Sequence, residues 1–241
     1  MLGRPPHCLE DLTFEEADEL IRAGAWALLP VGATQAHGPH LPISTDTVVA
    51  ITAAQRASVL LAQRKTVALV LPALPYSVSE HAAGFAGTIG VGADALTAMV
   101  ADVISGTARA GFLGVVVCTV RFEAQHIAAL GRAVSEARAN GIKAMLPDAS
   151  VVDRGDERVS DACWAGRFET SLVRAGRPFL VREDVAFELS PRPAAHGESF
   201  REAAGPRGYL GDPAGATLDE GDAHYRAVAQ LYADAVEGLK S

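Results

Sequence analysis

Val115-Val116-Val117-Cys118 is the run that most constrains how this chain can fold. Its four apolar residues, three of them β-branched and none alternating with a polar one, suit a strand covered on both faces. Such strands belong to parallel sheets with helices packed on either side. Two further runs repeat the pattern, Ala27-Leu28-Leu29-Pro30-Val31 and Thr66-Val67-Ala68-Leu69-Val70-Leu71. Stretches with helical spacing or propensity follow each run, from Thr47 to Arg64, from Asp94 to Ala110 and from Ile127 to Asn140. Strand alternating with helix predicts an α/β protein, a three-layer α/β/α sandwich around a mostly parallel central sheet.

The flanking segments fit around that frame. Thr13 and Glu16 form a capping box for a helix that Gly24 ends, ahead of a strand over 26–31. A short apolar run over 142–147 follows the Asn140-Gly141 stop. Beyond it, 148–163 is acidic and polar and reads as a loop or lid, and Ala165 to Ser171 leads a helix of about two turns into Pro178. The stretch 184–207, with Pro191, Pro193, Gly197, Gly205 and Pro206, reads as irregular, and a final helix runs from about Asp219 to Leu239.

Composition limits what such a fold can do. Of 241 residues, 49% are hydrophobic and 21% charged, which suits a folded protein with a sizeable core and one domain over 1–241. A formal charge of -8 and a pI near 5.4 leave no basic field for a phosphate backbone, so nucleic acid is not an expected partner. Cys8, Cys118 and Cys163 fall in no CxxC or Cys/His zinc spacing, which suits a reducing compartment. Without a signal-type apolar core near Met1 or a run of ~20 apolar residues, the expected location is the cytoplasm, away from membranes.

Each strand-like run empties into polar residues. After the first come His37, His40 and Asp46 among glycines and prolines, after the second Glu80 and His81, and after the third the stretch from Thr119 to His126 with Glu123. In a parallel sheet these exits share one edge, where open α/β folds hold their sites. His37 and Asp46 are nine residues apart on one loop, and histidine with carboxylates is a ligand set for zinc, iron or manganese. Structural roles compete with that one: Asp46 as the N-cap of the helix from Thr47, and His37 as a hydrogen-bonding brace.

A series of ordered motifs gives the chain a resemblance. Gly32-Ala33-Thr34-Gln35-Ala36-His37-Gly38-Pro39-His40-Leu41-Pro42, reaching Thr45-Asp46, is similar to the signature of the creatininase (creatinine amidohydrolase) family. Glu80-His81 before Phe85, Gly87 and Thr88 matches next, then Ala165-Gly166 before Glu169-Thr170-Ser171, and finally Gly208 to Pro213 before Ala216-Thr217. The resemblance spans about the whole chain. It implies a hexameric, metal-dependent hydrolase of cyclic or linear amide bonds, with two ions bridged by the aspartate that Asp46 matches. One ion also takes a glutamate and a histidine of the family, and the other takes the histidine that His37 matches and a second glutamate.

Three positions depart from the family pattern. The first family glutamate is Gln35 here. The family's strand-end motif, aligned without a gap from Gly111-Phe112, puts Arg121 on a ligand histidine and Glu123 on the second glutamate. A register two residues later, anchored on Ala129-Leu130, puts Glu123 on that histidine and Gln125 on the glutamate. In the first register both replaced ligands belong to one ion, and His37, Asp46 and Glu123 remain for the other. The third departure is Trp164, where the family carries a histidine thought to transfer protons. His196 and His81 are left to take over that task.

The resemblance, read with these departures, implies a metal-dependent amidohydrolase with one divalent ion per chain (zinc, manganese or iron) and Arg121 in place of the second. Arg121, Glu123, His81 and Glu169 are the expected catalytic groups, although Glu169 at a helix start also suits the helix dipole. Trp164, Glu80 and His196 are expected at a small-molecule amide substrate. Two other readings stay open: a catalytically degenerate family member that binds a ligand or completes a complex, and a peptidase that processes a peptide-derived cofactor, as in the mycofactocin-associated branch.

Overall fold

The computed structural model describes residues 7–152, 164–192 and 200–240. Five strands, β1 (His7–Cys8), β2 (Trp26–Pro30), β3 (Ala68–Val70), β4 (Val115–Cys118) and β5 (Ala144–Met145), form one sheet in the order β1-β3-β2-β4-β5. Every pairing is parallel, and Leu28 in the central strand β2 lies opposite Val70 on one side and Val116 on the other.

Both faces of the sheet are covered, as the unbroken apolar runs require. Alternation within each strand divides the core. Trp26, Leu28, Val116 and Cys118 pack with α2 (Thr45–Gln63), α5 (Arg167–Gly176) and α8 (Leu218–Lys240). Ala27, Leu29, Val115 and Val117 pack on the opposite face with α1 (Phe14–Arg22), α3 (Ala93–Arg109) and α4 (Ala124–Ala139). The three-layer α/β/α architecture is therefore observed. Among the described residues, no helix is long and apolar enough to cross a membrane.

Several boundaries differ from the sequence expectations. α2 starts at Thr45, because the Thr45 amide and hydroxyl both donate to Pro42 O, at 3.1 and 2.6 Å, and close the turn early. Ser44 is therefore the N-cap and Asp46 lies inside the first turn, so Asp46 is not the cap. α4 starts at Ala124 with Glu123 as its N-cap; its polar first turn hides the helical spacing. The stretch expected to be irregular holds two short helices, α6 (Glu183–Phe187) and α7 (Phe200–Ala204). The capping box stands as read: the Glu16 amide donates to Thr13 Oγ1, and the Thr13 amide donates to the Glu16 carboxylate.

Candidate functional site

The site forms where β2 ends between β3 and β4. The Gly32 amide donates to Leu74 O at 3.0 Å, tying the β2 exit to the β3 exit. A Cβ at Gly32 would stand 2.4 Å from the backbone N and Cα of Thr47, so only glycine lets the first turn of α2 lie this close. That approach brings Asp46 against the loop carrying Gln35 and His37, all three buried.

His37 is oriented from behind. Its Nδ1 lies 3.1 Å from Gln35 O and donates to that carbonyl, which leaves Nε2 as the free ring nitrogen. Nε2 lies 3.3 Å from Asp46 Oδ1 and 3.5 Å from Glu169 Oε1, yet it is buried and has no hydrogen bond of good geometry. The three donor atoms lie within 4.8 Å of one another. Burial disfavours a charged imidazole, but Asp46 and Glu169 outweigh it and raise the His37 pKa to about 10. Burial likewise pushes the Asp46 carboxyl up, and His37 and Arg121 more than offset this, holding it below its ordinary value.

Glu169 reaches the site from the first turn of α5. Its Oε2 accepts from the Ala165 amide at 2.5 Å, and Ala165 takes a left-handed φ of 52° to present that amide. Oε1 is left facing His37. Trp164 lies over the His37 ring, with centroids 5.2 Å apart and planes 19° from parallel, and its Nε1 donates to Ala36 O at 2.9 Å.

The other side of Asp46 faces Arg121. Gln35 Nε2 donates to Asp46 Oδ2 at 2.6 Å, and Arg121 Nε stands 3.4 Å from the same oxygen. Arg121 Nη2 donates to Gln35 Oε1 at 3.1 Å and to Glu123 Oε2, while Nη1 donates to Ser77 Oγ at 3.3 Å. One buried guanidinium thus serves two buried carboxylates and fixes the Gln35 amide.

The structure distributes the expected site residues unevenly. His37, Asp46 and Arg121 come together. The resemblance placed Glu123 beside His37 and Asp46, but the third donor next to that pair is Glu169, and Glu123 pairs with Arg121. The Glu80 amide donates to Glu123 Oε1 at 3.3 Å, while the Glu80 side chain is exposed and accepts from Gln125. Burial raises the Glu123 pKa, and Arg121 and the half-buried His81 oppose this only in part. Trp164 presents one face to His37 and also packs near Phe200, with ring centroids 4.8 Å apart and planes tilted by 49°. His196 lies outside the described residues. Sequence reasoning gave no role to Ser77 or His126, although both are polar residues at buried strand exits.

The creatininase family profile, described as creatinine amidohydrolase, matches residues 10–236. The chain belongs to the creatininase family. Among its relatives, the mycofactocin precursor peptide peptidase of Mycobacterium ulcerans (strain Agy99) is 32% identical over 221 residues, which cover 88% of this chain and 83% of that protein. Two solved creatininases share the fold. One, named as the manganese form, has a TM-score of 0.77 at 25% identity and covers 95% of this chain and 97% of its own. A mutant of the Zn-Zn type has a TM-score of 0.76 at 25% identity, covering 95% and 96%. The family and these relatives are hydrolases by name, which is consistent with an amidohydrolase acting on C–N bonds.

Proposed function

We propose that the chain hydrolyses an amide bond in a linear, peptide-derived substrate, with one divalent ion held by His37, Asp46 and Glu169 beside a built-in cation, Arg121. The division of Asp46 carries this reading. Its Oδ1 faces His37, and its Oδ2 is engaged by Gln35 and Arg121. An aspartate that bridges two ions needs both oxygens free, and here the protein occupies one of them.

The residues fit an ion. A buried ring nitrogen without a hydrogen-bond partner, oriented through its other nitrogen, faces two carboxylate oxygens, and this donor set suits zinc or manganese. Manganese and zinc in the names of the two solved relatives point the same way. When bound, a divalent ion polarises a carbonyl and lowers the pKa of water.

The chain's own groups do the rest. In the overall reaction a water oxygen bonds to the carbonyl carbon, the C–N bond breaks, and the nitrogen leaves as an amine with one of the water's protons. The side chain of Glu169 is 22% exposed against 6% for Asp46 and 3% for Glu123, so Glu169 is the site carboxylate most open to water and substrate. Arg121 holds a fixed positive charge beside Asp46, and Trp164 shields one face of His37 from water. The peptidase named among the relatives favours a linear peptide over a small cyclic amide.

A second reading has its own observation. Trp164 fills the position of the family's proton-transfer histidine and is packed against His37 and Phe200, which suits a family member kept for binding. One experiment separates the two. Protein purified without chelators is expected to carry about one zinc or manganese per chain and to release amine from short peptides, with release lost after chelation and restored by either metal. Ion binding with no amine released from peptides or from cyclic amides would leave the binding role.

A further inference from the structure

Among the described residues, the side-chain hydrogen bonds of Ser77 and His126 run to Arg121 and Thr119 rather than to His37 or Glu169. The Ser77 Oγ accepts from Arg121 Nη1 at 3.3 Å and lies 2.6 Å from His126 Nδ1. On its far side, His126 Nε2 lies 2.9 Å from Thr119 Oγ1. Ser77 and His126 are both fully buried, so water does not complete their hydrogen bonds.

Counting protons fixes the direction of every bond in this chain. A guanidinium only donates, so Arg121 takes one lone pair of the Ser77 oxygen. The single Ser77 proton then has one acceptor in reach, His126 Nδ1. His126 must keep Nδ1 bare and carry its proton on Nε2, where it donates to Thr119 Oγ1. The opposite tautomer would aim two donors at Ser77 and leave the serine proton buried without a partner, at a cost of ~1–3 kcal/mol. A doubly protonated ring would do the same. Burial, reinforced by Arg121 and only partly opposed by Asp46, independently pushes the His126 pKa down to about 3.

We infer that His126 is a positioning residue for Arg121: a neutral imidazole, protonated on Nε2, that takes the Ser77 proton and keeps the Ser77 oxygen turned toward the guanidinium. The anchor behind it is rigid, because Tyr232 donates to Thr119 O at 2.8 Å and pins the β4 exit. The relay therefore runs from β4 through α4 to the β3 exit and ends on the group that occupies Asp46 Oδ2. Its effect on turnover rests on the function proposed above, whereas the tautomer does not.

Nitrogen-15 NMR of the imidazoles in the intact protein tests the core of this inference, with His126→Asn identifying the signal by its loss. The wild type is expected to show the Nε2–H tautomer at His126, and Ser77→Ala to admit the Nδ1–H form. An Nδ1–H or charged ring in the wild type would overturn it. Kinetics test the consequence. His126→Leu is expected to lower kcat about tenfold with KM nearly unchanged, and His126→Asn, whose Oδ1 can accept the Ser77 proton, to recover most of the loss. Equal losses in the two variants would contradict a positioning role. If His126→Leu does not fold, the tautomer and the activity of His126→Asn decide. A wild type that shows the expected tautomer but cleaves no amide would overturn the proposed function and leave this relay standing.

Discussion

Arg121 donates to Ser77, Gln35 and Glu123 and stands 3.4 Å from Asp46 Oδ2, so two buried carboxylates depend on one guanidinium. Arg121→Met, similar in length and uncharged, removes the cation that pairs with Glu123 and one of the two beside Asp46, which keeps only His37 and the Gln35 amide. Urea unfolding at neutral pH is expected to show a loss of ~3–5 kcal/mol, the range for breaking a buried ion pair from one side. Two histidines make a different prediction. Burial, with Arg174 adding to it, pushes the His40 pKa down to about 4, and burial with Arg121 pushes that of His126 to about 3. Unfolded, each takes up a proton near pH 6.5; folded, each stays neutral, so the unfolded state binds more protons below that pH and is favoured there. His37, raised to about 10, is protonated in both states over this window and adds no slope. Urea midpoints of metal-free protein should fall between about pH 6.5 and 4, and His126→Asn should flatten the fall. At this scale Gln35 and Arg121 were legible as departures within matched motifs. The place of Glu169 was not, because it lies far along the chain from His37 and no local spacing relates the two.

The exit of β2 and the first turn of α2 act as one unit, held together by the missing side chain at Gly32. A methyl group there would meet the Thr47 backbone at 2.4 Å, so Gly32→Ala must push α2 away and carry Asp46 with it. The expected cost is ~1–3 kcal/mol in denaturant titration, with zinc binding weakened by calorimetry. Gly131, inside α4 with nothing near its would-be Cβ, is the control: Gly131→Ala should leave zinc binding unchanged and stabilise the protein by up to ~1 kcal/mol. Elements were legible where apolar runs or caps are strong, as in β2, β4 and the Thr13 capping box. The pattern failed elsewhere: β1, two residues long, was not legible, and helical spacing started α4 at Ile127, three residues late, because His126 in its first turn bonds inward to Ser77.

In the whole molecule, parallel pairing brings the exits of β2, β3 and β4 to one edge, and that much followed from three apolar runs with helices after them. Less could be read of how α5 approaches from the later part of the chain to set Trp164 and Glu169 over the same edge. Parallel order says which strand ends meet, and packing of α5 against α2 and α8 says which helix covers them. In the function proposed above, Gln35 and Arg121 stand at Asp46 Oδ2 in place of a second ion and its ligands. Restoring those ligands should restore the ion. Elemental analysis of folded, chelator-free protein, saturated with zinc and desalted, tests this most directly. The wild type is expected to retain about one zinc per chain, and Gln35→Glu/Arg121→His about two. Two zinc ions in the wild type, or none in either protein, would contradict a one-ion site with a built-in cation.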